Sequence, residues 1–582
     1  MHRELYQTFL NFHNRFFPDD YDTGLKVFFE SLLYVVSAKT FVLDMEKSKY
    51  LHSDYINHII SGLDLEAINP DFIGLAFEKA VNRKRTGTYY TPKFVTEYVV
   101  ETAFKDIHKK MDIYDISILD PSSGSGEFLV TAFKKLLNTY KIQHNSITEE
   151  EIILLSKQIY GVDINDIAIE IARFRLIFTA LEYGLNIKKI ENLEFHLYVG
   201  NSVLGNCIEE KESLEKIYAK QLTSLSFDTW IDKCKPFNWS KIGKKFKIII
   251  GNPPYIELSK IKEYQPNLSS SKSGNIFSPF IERATTLLDE GGVLGFILPI
   301  SFSSTKRMKE VRDIVYSSAE KIQLLSFADR PASLFQGVHQ KLNILFFKKS
   351  VNKNIPSVLT NAYTHFYTDE IKGIFESLKL VENPYFNFDI VPKIGSSSQL
   401  NLLNKVLNIK KEYSIFETKN PSFFLYLNSR SCFWMKAFLN QPISSDYLKI
   451  GFDSEEQMRH AYAILNSSLF FWFWEVISDG WHIRKSDLMK FDFKHHKPSL
   501  ELVELSYTIE REIEATKVFV GSKQVEYEYR HKSVKSFIDK IDYVLADIYD
   551  LSGEDVDFII MYNSKYRMND EFKNYLLEVN QL

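Results

Sequence analysis

Cysteine is nearly absent from this sequence. Three occur in 582 residues, the widely spaced Cys207, Cys234 and Cys432, which excludes a disulfide scaffold and a cysteine-rich zinc site and suits a reducing compartment. The 14 histidines are scattered, so no metal site is expected, and His495-His496 reads as an exposed polar pair. Glycine and proline are sparse, at 23 and 17 residues, and leave little material for long flexible linkers. Positive charge is not in excess: 71 Lys and Arg face 75 Asp and Glu. A chain coated in basic residues is thereby excluded, and any nucleic acid must be met by local basic patches. Long apolar runs are missing as well. Leu469–Ile477 is interrupted by Glu475 and falls far short of the roughly 18 residues that cross a bilayer. The opening MHRELYQTFLNF lacks a signal peptide's apolar core. No repeat or low-complexity tract is visible, and the expectation is a soluble, cytoplasmic protein away from membranes.

What is present is material for large cores. Hydrophobic residues make up 45% and aromatic residues 14% of the chain, and its length suits three or four domains at roughly 150 residues each. Residues 1–80 read as an N-terminal helical segment, with Leu25, Phe28, Phe29, Leu32, Leu33 and Val36 at helical spacing. From about 113 short apolar strands alternate with helices. Strands are expected at Ile116–Leu119, Ile159–Val162, Phe195–Val199, Phe246–Ile250, Val293–Leu298, Ile322–Phe327 and Leu342–Phe347. Helices are expected at Glu127–Leu137, Asp166–Tyr183 and Phe280–Leu288. This alternation predicts an α/β fold with a mostly parallel, doubly wound sheet over residues 81–350. Residues 351–497 are irregular and aromatic-rich, and 498–582 turn helical again.

In such sheets ligands lie beyond the carboxyl ends of the strands. After the first strand stands Asp120-Pro121-Ser122-Ser123-Gly124-Ser125-Gly126, a glycine turn that opens a helix. It lets a ligand approach the backbone, and Asp120 can accept from a cofactor amine. A nicotinamide-type turn would want a third glycine where Leu129 stands. After the second strand, Asp163 can take both ribose hydroxyls, or cap the following helix, a role that suits Asn165 better. Asn201-Ser202 after the third strand either meets an adenine edge or forms a plain turn. After the fourth strand comes Gly251-Asn252-Pro253-Pro254-Tyr255. Its prolines fix a stiff loop that presents an amide oxygen, a backbone carbonyl and an aromatic face, a set that suits a planar –NH2 group. Upstream, Thr88, Tyr90 and Thr91 lie in a hydroxyl- and aromatic-rich loop that can hold an anion, while Thr91 with Pro92 equally suits a helix start.

This ordered set resembles the N6-adenine DNA methyltransferases of bacterial restriction–modification systems, in the gamma arrangement with target recognition last. The resemblance covers about 82–350, and it implies a class I methyltransferase fold using S-adenosylmethionine. It assigns Asn252, Pro253, Pro254 and Tyr255 to catalysis. It assigns Thr88, Tyr90, Thr91, Asp120, Ser122, Gly124, Gly126, Asp163, Ile164, Asn201, Ser202 and Phe280 to the cofactor. Position 201 departs from relatives that carry Asp. Phe335 sits where the family often sets an aromatic against an extruded base.

Residues 351–497 resemble the family's target-recognition regions more loosely. Trp481, Arg484 and Lys485 form a plausible DNA-facing loop, or else an ordinary surface loop. Two basic runs are usually solvated faces but can touch phosphate: Lys241, Lys244, Lys245 and Lys247, and Lys306, Arg307, Lys309 and Arg312, the latter on one expected helix. The implied partners are double-stranded DNA and a separate restriction endonuclease, with the chain a monomer or homodimer. The alternatives are methylation of RNA adenine or protein glutamine, or a catalytically inert DNA-binding specificity subunit.

Overall fold

The computed structural model describes residues 2–41, 53–63, 70–81, 91–107, 111–205, 239–261, 266–335, 338–351, 355–408, 414–442, 446–521 and 527–579. Thr88 and Tyr90 lie outside the described residues. The chain forms two units. One comprises Met1–Pro299, Arg307–Leu324 and Asn343–Ser357, the other Ile300–Lys306, Leu325–Leu342 and Val358–Leu582.

Unit one opens with α1 (His2–Phe16), α2 (Tyr21–Phe41), α3 (Ser53–Gly62) and α4 (Pro70–Ala80). Seven strands follow: β1 (Ile118–Asp120), β2 (Ile159–Asp163), β3 (His196–Val199), β4 (Phe246–Gly251), β5 (Leu288–Pro299), β6 (Ala319–Phe327) and β7 (Leu342–Lys349). They lie in the order β3-β2-β1-β4-β5-β7-β6, and the first five of that row are parallel to their neighbours. Between them run α5 (Lys93–Asp106), α6 (Glu127–His144), α7 (Glu149–Ser156), α8 (Asp166–Glu182), α9 (Phe277–Leu287) and α10 (Lys309–Ser318). Ile118, Leu119, Ile248, Ile249, Val293 and Leu294 are all fully buried, as expected of strands covered on both faces. This is the doubly wound α/β sheet that the strand–helix alternation predicts. Chain order reverses between β1 and β4, so the ligand crevice belongs at their carboxyl ends. The N-terminal helices close a core in which Phe9, Phe28, Phe29 and Phe77 pack with Ile167, Ile171 and Phe174 of α8.

The basic runs expected as solvated faces are largely engaged inside unit one. Arg312 is fully buried in α10, not on a basic surface. Lys244 lies 5.0 Å over the Tyr160 ring, Lys247 pairs with Asp289 at 2.7 Å and Arg307 with Glu257 at 2.8 Å.

Unit two contains an antiparallel pair, β8 (Ser357–Thr360) with β9 (Val381–Glu382). A three-stranded antiparallel sheet has β10 (Phe423–Asn428) between β11 (Ala437–Phe438) and β12 (Tyr447–Phe452). Its helices include α11 (Ser397–Val406), α12 (Glu455–Leu465), α13 (Ser468–Ile477), α14 (Leu500–Ala515), α15 (Lys535–Tyr549) and α16 (Gly553–Met561). The aromatic run read as irregular is α13. Every one of its residues is buried, so it is apolar all round and carries no stripe for periodicity to detect. Ser467 starts it by accepting from Phe470 N at 3.0 Å. His495 and His496 are half-buried, not the exposed pair expected. Among the described residues no helix is long and apolar enough to cross a membrane.

Candidate active site

β1 ends at Asp120, and the chain turns over Pro121–Gly126 into α6. Gly126 has φ 86°, and a Cβ there would stand 2.8 Å from the Ala172 Cβ and 3.0 Å from its Cα. Only glycine lets α6 start so close to α8. The turn is tied to β2: Ser123 N donates to Val162 O at 3.0 Å and Gly124 N to Asp163 Oδ2 at 2.9 Å. The other Asp163 oxygen accepts from Asn165 N at 2.9 Å. Asn165 Oδ1 accepts from Ala168 N at 3.0 Å, so Asn165 caps α8 and leaves Asp163 to the turn. Ile164, 60% exposed, sets apolar surface beside that acid. Asn201 Oδ1 accepts from Val203 N and Leu204 N at 3.0 and 3.2 Å, which forms an Asx turn. Ser202 Oγ donates to Pro121 O at 2.5 Å and joins that turn to the glycine turn. Phe280 is buried in α9.

Three carboxylates gather here. Asp120 is 1% exposed and accepts from Ser122 N of its own loop at 2.9 Å. Glu78, which the sequence reading left inside the helical segment, reaches the same turn from α4. Its Oε1 accepts from Ser125 N at 3.1 Å and from Ser125 Oγ at 3.0 Å. Burial raises the Asp120 carboxyl well above the usual carboxylate range, and the charges of Asp163 and Glu78 raise it further. Burial likewise raises Glu78 and Asp163. Arg175 of α8 backs the turn by donating to Ser125 O at 2.9 Å, but its Nη2 pairs with Glu127 at 2.7 Å and Asp71 at 2.8 Å. The Ser122 hydroxyl oxygen is buried without a hydrogen-bond partner among the described residues. Desolvated acids and an orphan hydroxyl fit a ligand that carries positive charge and hydroxyl groups. Helical spacing places Glu78 on α4 but carries no signal of its contact with the turn.

β4 ends against β1. At Gly251 a Cβ would lie 2.7 Å from Asp120 Oδ1, so the close approach requires glycine. The next residue, Asn252, donates through Nδ2 to Thr91 Oγ1 at 3.1 Å. Its Oδ1 accepts from the Tyr255 hydroxyl at 2.5 Å, which also lies 3.1 Å from Ile297 O of β5. Pro253 is buried, while Pro254 and Tyr255 are half-buried. Thr91 does not cap α5. Pro92 occupies the cap with no side-chain hydrogen bond, and the threonine side chain turns to Asn252 instead.

The other residues singled out in the sequence lie in unit two. Phe335 is buried. Trp481 lies under two cations, 5.3 Å from the Arg330 guanidinium carbon and 5.1 Å from Lys341 Nζ. Asp479 shapes the loop by accepting from Trp481 N at 2.9 Å and His482 N at 2.7 Å. Its other oxygen pairs with Arg484 at 2.5 Å. Lys485 is exposed and lies 5.5 Å over the Phe416 ring.

A reversed parallel sheet, a glycine turn after β1, an acid after β2 and a diproline corner after β4 together define the class I methyltransferase fold. Residues 157–335 match the family model described as Eco57I restriction-modification methylase. The chain is 24% identical over 466 residues to a putative type II restriction enzyme and methyltransferase, RM.MjaORFECS2P, of Methanocaldococcus jannaschii, covering 51% of this chain and 39% of that protein. It is 23% identical over 321 residues to the type II restriction enzyme and methyltransferase RM.Eco57I of Escherichia coli, covering 49% of this chain and 30% of that protein. The chain thus spans well under half the length of either relative. Among solved structures, the type IIG restriction endonuclease BpuSI is similar at 11% identity and a TM-score of 0.46, over 98% of this chain and 79% of that one.

Proposed function

We propose that the chain methylates N6 of an adenine extruded from double-stranded DNA, using S-adenosylmethionine, as the modification enzyme of a restriction–modification or phage-defence system. The observation that carries this reading is the diproline corner after β4, set against the buried carboxylate of Asp120 at the glycine turn.

When bound, S-adenosylmethionine supplies a sulfonium methyl that is already activated. The chain's own task is therefore to hold and to orient. Asp120 and the turn's backbone offer acceptors and donors to the cofactor's amino-acid end, and Asp163 offers two oxygens to ribose hydroxyls. Ile164 and Phe280 suit the faces of an adenine ring, and Thr88 and Tyr90 belong to the same expected pocket. At the corner, Asn252 Oδ1 and the Pro253 carbonyl accept the two N–H bonds of the target amine and leave its lone pair free to attack. The Tyr255 ring stacks on the base and offsets part of the cost of extrusion. Phe335 is a second candidate for that base, and Trp481, Arg484 and Lys485 are candidates for reading DNA. A separate restriction endonuclease is the proposed partner for cleavage.

The test is incubation with tritiated S-adenosylmethionine and, in parallel, unmethylated genomic DNA, total RNA and a protein extract, followed by hydrolysis and identification of the labelled product. N6-methyladenine in DNA supports the reading. Label in RNA adenine or in glutamine, or none at all, overturns it.

A further inference from the structure

We infer that Thr91 is a positioning residue for methyl transfer: its hydroxyl oxygen fixes which edge of the Asn252 amide faces the target amine. The inference rests on the reading above and adds a residue to it. An asparagine amide is nearly symmetric in shape but opposite in chemistry at its two ends, one accepting and the other donating. An incoming –NH2 group must meet the oxygen. Turned over, the amide would present N–H to N–H, a repulsive pair that also leaves the amine's lone pair misdirected.

The geometry supplies the lock. Asn252 Nδ2 lies 3.1 Å from Thr91 Oγ1, and Oδ1 lies 2.5 Å from the Tyr255 hydroxyl. The amide gives an N–H to the threonine oxygen and takes the tyrosine hydroxyl hydrogen on Oδ1, so both ends agree on one orientation. Thr91 is 6% exposed, and water is largely kept from competing for its oxygen. The tyrosine cannot hold the amide alone. Its single hydroxyl hydrogen is also within reach of Ile297 O at 3.1 Å, and a hydroxyl can either accept or donate. Nor is the threonine needed for the helix, since Pro92 occupies the cap of α5.

The experiment measures kcat with tritiated S-adenosylmethionine on unmethylated genomic DNA, and the thermal midpoint, for a small set of variants. Thr91→Val keeps the shape and removes the acceptor. Measured at saturating S-adenosylmethionine, it should lower kcat about 10- to 100-fold, the scale of a misplaced reacting group, while the thermal midpoint hardly moves, which shows that the variant is folded. Thr91→Ser, which keeps the oxygen, should restore kcat to within about threefold of the parent. In an Asn252→Asp background both ends of the group are oxygens and there is no orientation to fix. Adding Thr91→Val there should cost less than about twofold more, a coupling that a merely structural role would not produce.

The inference is overturned if Thr91→Val keeps at least half the parental kcat at saturating S-adenosylmethionine, or if the valine penalty is undiminished in the Asn252→Asp background. If Thr91→Val does not fold, Thr91→Ala removes the same acceptor and decides in its place. If Asn252→Asp has no measurable turnover, the Val–Ser contrast decides alone. A parent chain that methylates no substrate takes down both the functional reading and the inference; an active parent indifferent to Thr91→Val takes down the inference alone.

Discussion

In unit two, Glu475 is fully buried and accepts from His365 Nε2 at 2.9 Å and Asn563 Nδ2 at 2.8 Å. Burial alone would lower the His365 pKa, but the charge and hydrogen bond of Glu475 outweigh it and raise it above the ordinary imidazole value. Lys535, also buried, pairs with Asp539. In unit one, Glu78, Asp120 and Asp163 accept backbone N–H groups and one serine hydroxyl, and Arg175 pairs with Glu127 and Asp71. Buried charge that is paired holds a fold together. Buried charge of one sign gathered at a strand end costs stability and favours a cation. The contrast separates a scaffold from a binding site without reference to any relative.

The largest effect that follows is at the diproline corner. Asn252→Ala should cut methyl transfer about 10³-fold or more, the scale of removing a hydrogen bond aimed at the reacting group. Cofactor Kd by calorimetry and the thermal midpoint should hardly move. Its counterpart in unit two is Glu475→Ala, which strands His365 and should destabilise the protein by about 3 kcal/mol while leaving cofactor Kd unchanged. Chemical denaturation alongside calorimetry checks both. If Asn252→Ala destabilises the fold, or Glu475→Ala weakens the cofactor, the two regions are not distinct in kind.

Next is the carboxylate cluster. Asp163→Ala should weaken cofactor binding about 10- to 100-fold, the range for losing a hydrogen bond to a charged group, with DNA binding far less affected. Glu78→Ala should weaken it by less, because Glu78 holds the turn through Ser125. Equal losses of cofactor and DNA affinity would show that these acids support the fold as Glu475 does.

Most of unit one was legible in the sequence, because parallel strands covered on both faces are apolar runs and their connections are amphipathic helices. β1, β2, β4 and β5 stand where Leu119, Ile159, Ile248 and Leu294 put them, and the turn and corner follow from glycine and proline chemistry. Glu78 was not legible as a site residue. Its partner Ser125 lies 47 positions away, and no local pattern reports a tertiary hydrogen bond. Thr91 was read as a cofactor contact or a helix start, and its bond to the Asn252 amide, 161 residues on, was not visible because the Thr-Pro pair reports only a local rule. α13 was missed because a helix buried on every side loses its period. Arg312 looked like part of a charge run because burial of a cation depends on packing that composition does not carry.

The smallest effect expected is the pH response, and it has opposite signs in the two units. The raised carboxyls of Glu78, Asp120 and Asp163 bind protons more tightly in the fold than in the unfolded chain. Their contribution to stability is present below the unfolded carboxylate range and is lost as pH rises through the raised values. Cofactor-free unit one should therefore lose stability as pH rises above the ordinary carboxylate range of about 4, and S-adenosylmethionine should raise its thermal midpoint more at higher pH than at lower. In unit two, burial lowers His460 and His531 from 6.5 to about 4. That contribution is present above pH 6.5 and is lost as pH falls toward 4, while the raised His365 and the Asp542 carboxyl, raised to about 6, act in the opposite direction. Thermal scans with and without S-adenosylmethionine across that range test both signs at once. A cofactor shift that does not grow with pH would mean that Glu78, Asp120 and Asp163 are already balanced by cations, and that the comparison between the units fails at its root.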